Sequence, residues 1–296
     1  MKNKISIFWF RRDLRLEDNI GLCQALASGF VVLLIFIFDE TILEQLEDKK
    51  DRRVDYIHQA LLVINLELKK YGSKLTSFYG KPLEIFQQLS EEHDIQSVFC
   101  NRDYEQKTIE RDTEIYTFFK NQNIAFKAFK DQVIFDKNDV VKNDGKPYTV
   151  YTPYSKKWKE LLTEKNYQAH EADYTGFLKQ NFTEIHSLKE IGFHKTDMVF
   201  EKPILDLSII TDYDKYRDFP ALQRTTQLGI ALRFGTISIR KCVEFAFQHN
   251  QTWLSELIWR EFFMQILYHF PKVVNQSFKA KYDNIQWRNN EQEFEH

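Results

Sequence analysis

The chain predicts an α/β domain built on a parallel sheet, followed by an all-α segment. Three observations carry this. Strand-like apolar runs alternate with helix-like periodic stretches about five times before residue 130. The run Phe30–Phe38, with VVLLIFIF inside it, is continuously apolar and rich in branched and aromatic side chains, as a strand buried on both faces would be. From Ile209 onward the recurring patterns are helical.

Ile5–Phe10 is the first predicted strand, and the polar run Arg11–Asn19 follows it. Ile20–Ala27 reads as a helix and Phe30–Phe38 as the next strand. Asp51–Tyr71 carries Val54, Ile57, Ala60, Leu61, Ile64 and Leu68 at helical spacing, and Gly72 ends it. Leu75–Tyr79 is a strand, Pro82 opens a helix over Leu83–His93, and Val98–Asn101 is a strand. A helix over Tyr104–Asn121 and a strand over Ala125–Phe129 complete the domain, residues 1–130. Residues 131–205 read as an interdomain connection, with a polar stretch Lys137–Lys146, a turn at KNDGKPY, and a short helix Trp158–Leu162. Residues 206–296 form the helical part. There Thr225 and Thr226 can cap a helix through Leu228, Ala231 and Leu232 that Gly235 ends, and Ser238 caps another through Val243 and Phe247.

Composition narrows the function classes. No apolar run reaches the ~18 residues that span a membrane, and MKNKISIFWFRRD has neither the apolar core nor the cleavage site of a leader. The cysteines Cys23, Cys100 and Cys242 lie far apart without CxxC spacing, which fits reduced thiols in the cytoplasm and excludes a zinc site. Neither GxGxxG nor GxxxxGK[ST] occurs, so the sheet domain is not a standard dinucleotide or P-loop domain. Ligands of parallel sheets collect beyond the carboxyl ends of the strands. The net charge of −2 argues against a nucleic-acid binder, yet Arg217, Arg224, Arg233, Arg260, Lys279 and Lys281 can form a local basic patch.

The most informative stretch is Trp253–Phe263, WLSELIWREFF. On a helix Glu256, Trp259 and Arg260 fall at i, i+3 and i+4, one face holding a carboxylate, an indole and a guanidinium. Leu254, Leu257, Ile258, Phe262 and Phe263 make the rest apolar, so the helix is buried on several sides. Buried charges need polar partners, which points to a ligand site. On spacing alone, an Arg–Glu pair bracing a core helix with Trp259 as packing remains the alternative. In RDFPALQRTTQLGIALRFGTIS, two hydroxyls at a helix start make an anion seat suited to a pyrophosphate, or an ordinary cap.

ELIWREFF resembles the signature helix of the DNA photolyase and cryptochrome family. Tyr213–Gly235 and the amino-terminal FWFRRDLRLEDN are similar to the same family in the same order. The resemblance, closest to class I cyclobutane pyrimidine dimer photolyases, implies a Rossmann-like antenna domain and an all-α FAD-binding domain that continues beyond His296. It places the polar run Arg11–Asn19 at the domain interface. It assigns the flavin diphosphate to a pattern close to T-S-x-L-S, here Thr225, Thr226, Gln227, Leu228 and Gly229, with glycine in place of the second serine. It adds Tyr213, Trp253, Glu256 and Arg260 to the cofactor contacts, and Arg217, Glu256, Trp259 and Arg260 to the DNA contacts.

The implied activity is light-dependent repair. Reduced FAD gives an electron to a flipped pyrimidine dimer, Trp259 offers a stacking face, and Glu256 holds the base edge. Relatives that repair the (6-4) photoproduct tend to carry Gln where Glu256 stands. Trp287, in IQW, matches the exposed end of the tryptophan chain that photoreduces the flavin; its other two tryptophans, the carboxylate facing the flavin ring and the Asn near N5 belong beyond His296. Asn101 and Glu105, in NRDYE, resemble the contact for a folate antenna (methenyltetrahydrofolate), although a folate-contacting lysine is Asn275 here, which leaves deazaflavin, a second flavin or no antenna open. The partner is UV-damaged DNA, the protein is expected to act as a monomer, and no membrane or metal is implied. A cryptochrome-like signalling flavoprotein is the alternative, and Glu256 and Trp259 together favour repair.

Overall fold

Five strands form one parallel sheet in a computed structural model that describes residues 3–295. They are β1 (Lys4–Phe10), β2 (Val31–Asp39), β3 (Thr76–Gly80), β4 (Asp94–Asn101) and β5 (Ala125–Phe129), in the order β3-β2-β1-β4-β5. Helices α1 (Ile20–Leu26), α2 (Arg52–Lys69), α3 (Pro82–Glu92) and α4 (Gln106–Asn121) run between them. The two-residue alternation of strands divides the core cleanly. Phe8, Phe10, Leu34 and Phe36 face Leu22 of α1 and Leu61, Ile64 and Leu68 of α2. Ile7, Trp9, Leu33 and Ile35 face Phe86 of α3 and Ile115 and Phe119 of α4. Helices therefore cover both faces, as the continuous apolar run of β2 requires.

Two boundaries differ from the sequence reading for physical reasons. β4 starts at Asp94, not Val98, because its first half alternates polar Gln96 and Ser97 while still pairing with β1 from Lys4↔Asp94 onward. In the connection, α5 spans Tyr151–Leu161 instead of starting at Trp158. Pro153 sits in its first turn, where a missing N–H costs nothing.

Residues 131–205 are shared between two cores instead of forming a loose connection. Phe177, Ile185, Leu188, Ile191 and Phe193 join the sheet core, and Leu178 N–H donates to Val32 O at 2.9 Å. Ile134, Val140, Tyr154 and Trp158 join the helical core. That second core gathers around α6 (Gly229–Phe234), α7 (Ile239–His249) and α8 (Gln251–His269). Ser238 caps α7 through Arg240 N–H and Lys241 N–H, and Asn250 caps α8 through Thr252 N–H and Trp253 N–H. Among the described residues no helix is long and apolar enough to cross a membrane, and no His/Cys/Asp/Glu group is arranged to hold a metal ion. Cys100 and Cys242 are buried, Cys23 is half-buried, and all three are free thiols.

Candidate flavin and DNA site

The carboxyl ends of β1 and β4 meet the helical part through a buried charge network. Arg240 of α7 donates through Nε to Asp18 at 2.9 Å and through an η nitrogen to Asp131 at 2.8 Å. Arg15 donates to Asp131 from the other side at 2.8 Å. Burial opposes the charge on Asp131, but Arg15 and Arg240 outweigh it and hold its carboxyl below the usual range. Leu14 N–H donates to Phe234 O at 3.1 Å, and Arg15 reaches Gly235 O at 3.0 Å. The polar run Arg11–Asn19 is thus spent on joining the two parts, not on solvation.

The network also takes in Asn101 and Glu105, the pair expected at the antenna. Asn101 is buried, its amide donates to Asp13 at 2.5 Å and Asn19 at 2.7 Å, and its oxygen accepts from Gly21 N–H at 2.9 Å. Both amide hydrogens and one lone pair of its oxygen are thus used within the protein. Burial pushes its partner Asp13 up to about 6. Glu105 bonds Arg12 at 2.7 and 2.9 Å and Arg233 at 2.8 Å, and these guanidinium groups, Arg12 foremost, hold its carboxyl down to about 2. Glu105 links the sheet domain to α6. A cavity of about 460 Å³ opens beside it, beyond the carboxyl ends of β1 and β2, lined by Trp9, Arg11, Phe38, Arg111, Ile230 and Phe234. Arg11 and Arg111 lie over the Trp9 ring at 5.1 and 4.6 Å, and the Nε of each lacks an acceptor. Open α/β sheets bind ligands in this place.

α8 carries the signature residues, and its three polar side chains go different ways. Glu256 pairs with Arg217, both about one-third exposed. Such a half-exposed pair is worth at most about 1 kcal/mol, so either partner can be exchanged cheaply for a ligand. Trp259 stacks on Tyr151 with centroids 3.5 Å apart and planes 7° apart, and on Phe263 at 5.4 Å and 23°. Two aromatic rings therefore lie against the indole. Arg260 donates to Gln132 O at 2.7 Å and Leu232 O at 3.0 Å. It ties the connection to α6 through these two bonds. Trp253, 3% exposed, packs in the helical core.

The residue that pattern reading missed is Glu261. It is buried and accepts from Ile134 N–H at 2.7 Å, Phe135 N–H at 3.1 Å and Trp158 Nε1 at 2.6 Å. Burial still pushes its carboxyl up to about 7. Its signal in the sequence was a charge inside the apolar half of WREFF, next to the arginine that drew notice.

The diphosphate pattern folds differently from its expected cap. α6 starts at Gly229 with Leu228 as its cap, so neither Thr225 nor Thr226 caps a helix. Gln227 takes φ 51°, a left-handed conformation that delays the helix. The loop nevertheless suits an anion. Among the described residues no group accepts from the N–H of Thr225, Thr226, Gln227 or Leu228, and a Cβ at Gly229 would meet nothing within 4 Å. Tyr213 is half-buried, with the Arg217 guanidinium 5.7 Å from its ring, which sets it beside the Glu256 pair. Trp287 is 75% exposed and makes no ring contact among the described residues.

The structure is thus a parallel α/β sheet joined to a helical core that carries unbonded loop amides and an aromatic helix face. Residues 6–172 match the family described as DNA photolyase, and residues 253–296 match the FAD binding domain of DNA photolyase. The chain belongs to the DNA photolyase family. The deoxyribodipyrimidine photo-lyase of Synechococcus sp. is 29% identical over 319 residues, covering 96% of this chain and 65% of that protein. The structure resembles that of an archaeal photolyase from Sulfolobus tokodaii with two FAD molecules, with TM-score 0.77 and 27% identity over 98% of this chain and 65% of that one. A bacterial class III photolyase from Agrobacterium tumefaciens, at TM-score 0.81 and 24% identity over 100% of this chain and 65% of its own, shares the fold. The chain spans about two thirds of the length of these relatives. Its cofactor is FAD, and the loop amides at 225–228 with the open space at Gly229 fit the flavin's diphosphate.

Proposed function

We propose that the protein repairs cyclobutane pyrimidine dimers in DNA under blue light, with FAD supplying the photoexcited electron when bound. The observation that carries this is the Arg217–Glu256 pair beside the Trp259 stack on one helix. The pair is weak enough to open, which frees a carboxylate to hold a base edge and a guanidinium to take phosphate. Flipping the dimer costs roughly a few kcal/mol, less at a damaged site, and an aromatic platform offsets it. Tyr213 and the amides of Thr225, Thr226, Gln227 and Leu228 bind the flavin, Arg217 and Trp259 orient the DNA, and Glu256 steadies the dimer. The names of the relatives support this reading. A second chromophore fits the cavity over Trp9, where the unpaired Nε groups of Arg11 and Arg111 would meet a planar or anionic group, with Glu105 beside it.

The variant Glu256→Gln tests the assignment. It keeps the hydrogen-bonding shape and removes the charge. Light-dependent loss of dimers from an irradiated oligonucleotide should slow about ten-fold, since a bond to a charged group contributes roughly 1.5–3 kcal/mol, while bound flavin stays unchanged. An unaltered rate would remove Glu256 from the repair site.

A further inference from the structure

We propose that Tyr151 is the positioning residue that fixes the plane of the Trp259 indole and decides which indole face a flipped pyrimidine meets. The inference rests on the repair reading above and extends it to a residue outside the signature helix. Tyr151 is the first residue of α5 and comes from the connection. It grips α8 at two points. Its ring lies flat on the indole, 3.5 Å between centroids and 7° between planes. Its hydroxyl donates to Ser255 O at 2.9 Å, one turn before Trp259. A phenol held at both ends cannot tilt without losing one contact, so it acts as a rigid backing plate.

Phe262 closes the edge, nearly perpendicular to both rings, at 5.9 Å from Tyr151 and 5.7 Å from Trp259. Phe263 lies 5.4 Å from the indole and makes no ring contact with Tyr151 among the described residues, which puts it across the indole from the phenol. Phe263 is 60% exposed and has no hydroxyl to anchor it. The Tyr151 face is therefore permanently filled. The Phe263 face is covered by a ring that can swing into solvent for the loss of two aromatic contacts, with Trp259 and with Phe262 at 5.7 Å. A base enters there, and Phe263 holds its place until it does.

The test uses the holoprotein labelled with 5-fluorotryptophan, its Trp259 signal assigned with Trp259→Phe. Binding is measured to a duplex with one thymine dimer and to the same duplex undamaged. In Tyr151→Leu the Trp259 fluorine signal should move, and preference for the damaged duplex should fall about ten-fold, the scale of one base–aromatic stack. Affinity for undamaged duplex should stay within about two-fold. Tyr151→Phe, which keeps the ring, should retain most of the preference. An unmoved fluorine signal in Tyr151→Leu overturns the positioning role, as does an equal loss on both duplexes. A parent protein that binds both duplexes equally overturns the repair reading itself, and the lesion role of Tyr151 with it.

Discussion

Replacing Arg240 with methionine is expected to destabilise the protein by about 3–5 kcal/mol, the cost of removing one partner from a buried ion network. Arg240 is 3% exposed and contacts both oxygens of Asp18, at 2.9 and 3.0 Å, and Asp131 at 2.8 Å. Methionine fills similar volume but leaves the Asp18 carboxylate, among the described residues, with Ser238 Oγ and His170 N–H, and leaves Asp131 with Arg15 as its cationic partner. Total stabilities run about 5–15 kcal/mol, so the loss is a large share. Arg53→Met is the comparison. Arg53 also pairs with an aspartate, Asp51, but its side chain is 66% exposed. That change should cost under about 1 kcal/mol. Urea unfolding of both variants beside the parent checks the difference; equal midpoints would mean the clasp contributes nothing.

Gly235→Ala is the second large effect. Gly235 ends α6 at φ +66°, and a Cβ there would lie 2.3 Å from Arg12 O, 2.6 Å from Asp13 Cα and 2.9 Å from Arg12 C. All three are backbone atoms, so no side chain can yield. The loop after β1 and the end of α6 must part, which breaks Leu14 N–H to Phe234 O and loosens the clasp. Gly29 isolates the cause. Its φ is +83°, and a Cβ there would meet nothing within 4 Å. Gly29→Ala should cost only the left-handed backbone penalty of about 1–2 kcal/mol, and Gly235→Ala clearly more. Thermal unfolding of the two variants compares them directly; a similar loss at both positions would show that the domains do not meet at Gly235.

These two sites show where the sequence speaks and where it does not. The sheet was legible because β2 is a continuous apolar run and β1 is broken only by Ser6 after its opening Lys4, and β4 was half-legible because Gln96 and Ser97 interrupt its pattern. Ser238 acts as the cap that its residue type suggests, whereas Thr225 and Thr226 do not, because Gln227 turns left-handed before the helix can start. Side-chain spacing puts Glu256, Trp259 and Arg260 on one face, but not the reach of the arginine to Gln132 O. The clasp pairs Asp18 with Arg240 and Arg15 with Asp131 across more than a hundred residues, and no local pattern records such pairings. Tyr151 was hidden for the same reason: only the fold lays it on Trp259.

Whether this scaffold uses FAD and light to reverse pyrimidine dimers, as proposed above, can be read directly. The most direct measurement is the count of thymine dimers in a defined oligonucleotide incubated with the flavin-loaded, chemically reduced protein, under blue light and in the dark. The account predicts dimers converted to intact thymines in the light and none in the dark. Equal dimer counts in both, from protein whose absorption spectrum shows bound reduced flavin, would contradict it.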